Sequence, residues 1–218
     1  MGKIDLTAKQ QIIFDEIKNS SFFKKNFYFT GGTALSAVYL HHRESEDLDF
    51  FSQQEFDTLP ILNLITKWGK KHHLKIESRE MEAVRIFLLE FPDGEKLKVD
   101  FGYYPYKRLR RGKLIESVKV DSLFDIAVNK LQTIHQRNDV KDFVDLYFLL
   151  KKFTVWDLME GVRVKFRIEL DPYTVAADYL KSGSFENMPK MLVPLELVDL
   201  QDFYKDLAKK LGMKVVKP

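Results

Sequence analysis

Two aspartates one residue apart, inside an otherwise apolar run, constrain this chain more than any other feature. The run is Asp47-Leu48-Asp49-Phe50-Phe51. On a strand, residues two apart point to one face. Asp47 and Asp49 are therefore expected side by side, with Leu48 and Phe50 turned into a core. Asp100, in Lys98-Val99-Asp100-Phe101, sits in a second run of the same style. Three carboxylates converging at ~4 Å repel by about 4 kcal/mol per pair at an effective dielectric of ~20. A cation must offset that repulsion. Hard oxygen donors, few in number and leaving positions open for water and phosphate, favour Mg²⁺ or Mn²⁺. The plainer alternative is a solvated strand face, which a lone D-x-D commonly is.

What lies upstream favours the chemical reading. Phe27 to Thr30 reads as a short buried strand ending in Gly31-Gly32, and thirteen residues separate Thr33 from Asp47. A glycine pair lets the backbone turn tightly and approach a ligand closely. A helix from Thr33 to Leu40 then aims free N–H groups at a phosphate, and the Thr33 hydroxyl adds a donor. A phosphate at the helix start and metal on the carboxylates are the parts of a phosphoryl- or nucleotidyl-transfer centre. Gly31, Gly32 and Thr33 are thus nucleotide-binding candidates, and Asp47, Asp49 and Asp100 are catalytic and metal-binding candidates. An EF-hand is excluded, because Asp47-Leu48-Asp49 lacks the glycine and terminal glutamate at the required offsets.

The rest of the chain changes period once. An opening helix runs through Leu6, Ile12, Ile13 and Ile17, and another begins near Pro60 with Ile61, Leu64, Ile65 and Trp68. Lys75 to Met81, Ala83 to Phe91 and Lys96 to Phe101 read as strands, the last two joined at Pro92-Asp93-Gly94-Glu95. A short strand is expected near Leu114 to Val120. Helices follow at Ser122 to Arg137, Val140 to Lys152, Val155 to Phe166, Pro172 to Leu180 and Asp199 to Leu211. Strands first and helices later make an α+β chain. The expected organisation is a mixed α/β core over residues 1–120 and a helical region over 121–218.

Composition narrows the class. The 218 residues carry 35 basic and 32 acidic side chains, and 45% are hydrophobic, which disfavours disorder. No cysteine is present, which removes disulfides, thiolate zinc, iron–sulfur clusters and a cysteine nucleophile. Nothing approaches the ~18 apolar residues of a membrane span, and the charged N-terminus is unlike a signal peptide. A cytoplasmic location without membrane attachment is expected. The histidine pairs His41-His42 and His72-His73 and the single His135 point apart and make no zinc site. Trp68 and Trp156 are expected in the core.

The string Gly31-Gly32-Thr33-Ala34-Leu35, then His42-Arg43-Glu44-Ser45-Glu46-Asp47-Leu48-Asp49-Phe50-Phe51, resembles the nucleotidyltransferase motif of the AbiEii/AbiGii toxin family. A second block, Asn129-Lys130-Leu131, Arg137 and Lys141-Asp142-Phe143-Val144-Asp145-Leu146-Tyr147, resembles that family's helical signature. The resemblance implies a polymerase-β-like nucleotidyltransferase fold, a mixed sheet flanked by helices. It implies two Mg²⁺ on Asp47, Asp49 and Asp100, with the triphosphate against Gly32 and Thr33. It also implies a toxin of a toxin–antitoxin or phage-defence pair, with an antitoxin as a possible partner and tRNA as one acceptor known in related toxins. Thr33 departs from the Gly-Ser that the wider superfamily most often has, but keeps the hydroxyl.

Lys130 and Arg137 share a helix face that can present positive charge to a triphosphate. Lys141 and Asp145 are spaced to pair along the next helix. Lys130 is assigned to the nucleotide by motif match. Asp142 is open between a nucleotide role and positioning of Arg or Lys neighbours, and Asp145 reads as structural. Lys107, Arg108, Arg110, Arg111 and Lys113, next to Tyr103, Tyr104 and Tyr106, suit a single-stranded RNA surface or a solvated loop equally. The Lys-rich end from Lys209 to Lys217 is expected to fray. The expected activity is transfer of an NMP from an NTP to an acceptor hydroxyl, with Asp100 lowering the cost of the attacking alkoxide. Two alternatives stand beside it: a non-catalytic nucleotide- or RNA-binding regulator of the same fold, and a metal phosphohydrolase.

Overall fold

The computed structural model describes residues 4–216, and side chains through residue 213. The chain divides into two compact units. One comprises the chain up to Tyr39, Ser45–Lys107 and Arg111–Ser122; the other comprises Leu40–Glu44, Arg108–Arg110 and the chain from Leu123.

The first unit is built on a sheet. Thr7 caps α1 (Ala8–Asn19) through a capping box with Gln10. Ser20 ends that helix and caps α2 (Ser21–Asn26), a helix that apolar spacing alone did not reveal. β1 (Tyr28–Thr30) leads into α3 (Gly31–Leu35), which continues as a π-helical turn over Ser36–Leu40. The helix therefore begins two residues before the expected Thr33. β2 (Leu48–Ser52) alternates as anticipated, with Leu48, Phe50 and Ser52 buried. Asp57 caps α4 (Thr58–His72), which buries Ile61, Ile65 and Trp68 on one face.

β3 (Lys75–Met81), β4 (Val84–Glu90) and β5 (Lys96–Tyr103) complete a five-stranded sheet of order β1-β2-β5-β4-β3. Within this sheet β2 and β5 pair in parallel and the other strand pairs are antiparallel, so the sheet is mixed. The parallel pair follows from chain order, because α4 and two strands carry the chain from β2 before β5 joins it. An aromatic core holds the sheet to its helices: Phe101 stacks at 4.9 Å on Phe23 and 5.6 Å on Phe50. The segment expected as one strand near Leu114 to Val120 is instead a small hairpin, β6 (Leu114–Ile115) and β7 (Val118–Lys119).

The second unit is helical: α5 (Leu123–Gln136), α6 (Val140–Leu149), α7 (Val155–Phe166), α8 (Pro172–Leu180) and α9 (Leu197–Val216). α5 packs on α6 and α7, and α8 packs on α9. Two expectations fail here. Trp156 is 41% exposed rather than core, because it sits at the first turn of α7, ahead of the buried Leu158 and Met159. The Lys-rich end is helical through Val216, with Lys217 outside the described residues. Among the described residues, no helix is long and apolar enough to cross a membrane. The whole is an α+β fold.

Candidate functional site

The sheet places the acidic residues by register. Asp49 on β2 and Asp100 on β5 are partners across the parallel pair, and Asp47 lies on the same face as Asp49, just before β2 begins. Gly31 closes the other side. Its φ is +75°, and a Cβ there would lie 2.1 Å from the Asp49 carboxylate. The glycine thus lets the turn after β1 pass against Asp49, which a side chain would block.

Lys98, which lies outside both motif blocks, joins these carboxylates. It lies two positions before Asp100 on β5 and so shares its face. Its ammonium donates to Asp100 Oδ2 at 2.6 Å and to Asp47 Oδ2 at 3.3 Å. Strand parity alone identifies it, since any Lys-x-Asp on a strand sets the two side by side. Burial pulls the Lys98 pKa down, but Asp100, Asp47 and Asp49 together raise it above the usual lysine value. Asp100 is raised above the usual carboxylate range, first by burial, with Lys98 opposing.

Among the described residues, no three His, Asp or Glu side chains are drawn together as a ready metal cage. The donor chemistry nevertheless fits a divalent cation. The three carboxylates offer hard oxygens, and Asp100 Oδ1 is buried with no hydrogen-bond partner. The Lys98 ammonium bridges Asp47 and Asp100 and leaves that oxygen unbonded.

Thr33 is not where its hydroxyl was expected to work. It is 2% exposed, and its Oγ1 donates to the Asp47 carbonyl while bonding Ser45 Oγ at 2.8 Å. Gln10 supports the same stretch from α1, donating to the carbonyls of Ser45 and Glu46. Thr33 therefore holds the approach to Asp47 in this structure. Gly32 lies in the first turn of α3, beside it.

The helical unit contains a second charged cluster. Asp145 is fully buried and accepts from His42 Nε2, from Arg43 Nε and Nη2, and from Lys130. Lys130 also donates to Asp142 Oδ1 at 2.6 Å, and Arg137 donates to Asp142 Oδ2 at 2.7 Å. The expected Lys141–Asp145 pair is replaced: Lys141 is exposed, while Asp145 turns inward to these cations. Lys130 on α5 and Arg137, one residue past its end, both donate to Asp142. Burial acts to raise Asp145, yet Lys130, His42 and Arg43 hold it far below the usual range. Burial likewise opposes Asp142 ionisation, and Lys130 and Arg137 overcome it. Arg43 and His42 lay inside the first motif without an assigned role; nothing local in the sequence links them to α6.

The basic segment is partly consumed by the fold. Arg110 lies 3.8 Å over the Phe124 ring, and the backbone N–H groups of Leu109 and Arg110 donate to Asp125. Lys113 lies 4.4 Å over Tyr39. Lys107, Arg111 and Tyr106 remain exposed.

The model of the AbiEii nucleotidyl transferase toxin family, of a type IV toxin–antitoxin system, matches residues 13–211. The chain belongs to this family. A curated relative in Aquifex aeolicus (strain VF5), the uncharacterised protein aq_aa25, is 37% identical over 139 residues. That match covers 62% of this chain and 62% of the relative, so the chain spans less than two thirds of the relative's length. Among solved structures, a putative nucleotidyltransferase from H. pylori aligns with a TM-score of 0.59 at 20% identity. That alignment covers 97% of this chain and 98% of that one. The nucleotidyltransferase toxin MenT4 of Mycobacterium tuberculosis H37Rv aligns with a TM-score of 0.53 at 12% identity, over 93% of this chain and 83% of that one. At these identities both show a shared nucleotidyltransferase fold for the AbiEii-family chain.

Proposed function

We propose that this protein transfers an NMP from a nucleoside triphosphate to an acceptor hydroxyl, with Mg²⁺ or Mn²⁺, as the toxin of a toxin–antitoxin or phage-defence pair. The observation that carries the reading is Asp49 opposite Asp100 on parallel strands, with Asp47 on the same face and Gly31 packed against Asp49. Family membership supports the reaction class.

In this reading Asp47, Asp49 and Asp100 would hold the divalent cation. When bound, that cation supplies positive charge to the phosphate oxygens as negative charge builds up in the transition state. Gly31 and Gly32 leave the backbone open to the triphosphate, and Thr33 keeps the Asp47 approach in place. The bond formed joins the acceptor oxygen to the α-phosphorus, and the bond broken releases pyrophosphate. Rate comes mainly from positioning and electrostatics. Lys130 and Asp142 take a nucleotide-binding role in which Asp142 orients Lys130 and Arg137. The exposed Lys107, Arg111 and Tyr106 suit an RNA acceptor, tRNA included.

The test is incubation with each α-labelled NTP, Mg²⁺ and total RNA, followed by a search for label on RNA or protein. Label expected with the wild type should vanish with Asp49→Asn. Transfer at the wild-type rate by Asp49→Asn would overturn the metal assignment. Release of inorganic phosphate or a nucleoside, without transfer, would establish a hydrolase instead.

A further inference from the structure

We propose that Lys98 is an exchangeable counter-ion of the acidic site, neutralising Asp47 and Asp100 without nucleotide and moving to the triphosphate once metal and nucleotide bind. The proposal rests on the nucleotidyltransferase reading above and adds a residue to it.

Four observations lead there. Lys98 bridges two carboxylates, at 2.6 Å from Asp100 and 3.3 Å from Asp47, where it offsets the repulsion that a divalent cation would otherwise relieve. The bridge is incomplete, since Asp100 Oδ1 stays buried and unpartnered. The side chains are unequally enclosed: Asp100 is 12% exposed, Lys98 36% and Asp47 47%. Lys98 therefore reaches in from an open side on a flexible stem and can leave without disturbing the core. By contrast the Lys165–Asp125 pair is wholly enclosed at 0% exposure on both sides, which is how a permanent structural pair looks in this same chain.

Charge supplies the direction of movement. With the carboxylates bare, Lys98 is attracted to the site by all three acids. Each divalent charge added to those acids lowers that attraction and then reverses it. A triphosphate brought to the same face offers Lys98 a new anionic partner. Its contact energy is thus transferred from the empty site to the loaded one.

The removal of this ammonium should push two affinities in opposite directions, which loss of packing would not do. Mn²⁺ binding to nucleotide-free protein can be read by electron paramagnetic resonance, and binding of α,β-methylene NTP analogues with Mn²⁺ by calorimetry. Lys98→Met should bind free Mn²⁺ roughly tenfold more tightly and the Mn²⁺–analogue complex roughly tenfold more weakly. Lys98→Arg, which keeps a cation at the position, should stay near wild type for Mn²⁺. Shifts of both affinities in the same direction, or of neither, would overturn the role of Lys98 while leaving the proposed function standing. A wild type that binds neither Mn²⁺ nor any analogue would overturn both.

Discussion

Asp100 and Asp145 are the same residue type in buried surroundings, yet they are displaced in opposite directions. Asp100 is raised above the carboxylate range because burial outweighs its one lysine partner. Asp145 is held far below it because Lys130, His42 and Arg43 outweigh a still deeper burial. Both Asp145 oxygens are bonded, whereas one Asp100 oxygen has no partner. A half-satisfied charge cluster on an accessible strand face is suited to a ligand. A carboxylate enclosed as Asp145 is, with both oxygens bonded, is suited to holding the fold, because breaking its bonds strands an ion without water. Burial of charge therefore marks a site only when the local account of partners fails to balance.

The contrast is most directly broken by exchanging one acid from each cluster. Asp49→Asn should lower nucleotide transfer by roughly 10³-fold or more, while its thermal melt stays close to wild type. Asp145→Ala should instead destabilise the protein by about 3–5 kcal/mol, measured by denaturant titration, because Arg43 and Lys130 lose a buried partner. Equal loss of stability in the two variants would erase the distinction. Adding Arg43→Met to Asp145→Ala should recover part of the loss, since fewer unpaired charges remain buried.

Acid titration sharpens the same comparison. Asp142 and Asp145 have folded-state values below their ordinary 3.8. Their contribution to stability is present above that value and is lost as pH falls through the lower, folded-state values. Stability should drop more steeply below about pH 4 in the wild type than in a variant lacking the network. Denaturant midpoints measured across that range would show it. The smallest effect is expected for Asp100→Asn at neutral pH: a melt at or slightly above wild type, within about 1 kcal/mol, because burial disfavours the charge that the substitution removes.

Much of the first cluster was legible in the chain itself. Alternation in Asp47-Leu48-Asp49-Phe50 predicts which residues are buried, and the strand confirms Leu48 and Phe50 inward. The helices expected at Val155–Phe166 and Pro172–Leu180 have those bounds in the structure, where Thr154 and Asp171 cap them. Short-range signals failed where two readings compete locally. Ser20 serves both as the end of α1 and the cap of α2, so the break is a matter of one residue. Trp156 is apolar but sits on the first turn of its helix, and type alone says nothing of which side that turn faces.

What the sequence by itself determined is periodic: the parity that aligns Lys98 with Asp100, the glycine at a turn, and the order of strands before helices. These depend on a few neighbouring residues and on fixed repeats of backbone geometry. Only the tertiary structure decided the partners. Asp145 lies 102 residues from the Arg43 that grips it, and spacing could as readily have given it to Lys141. Thr33 has the hydroxyl of a phosphate ligand, yet the fold spends it on Asp47's own backbone. A side chain's chemistry is written in its residue type, but which charge it meets depends on where distant segments are brought together. Coulomb energy responds to that separation and burial, not to distance along the chain.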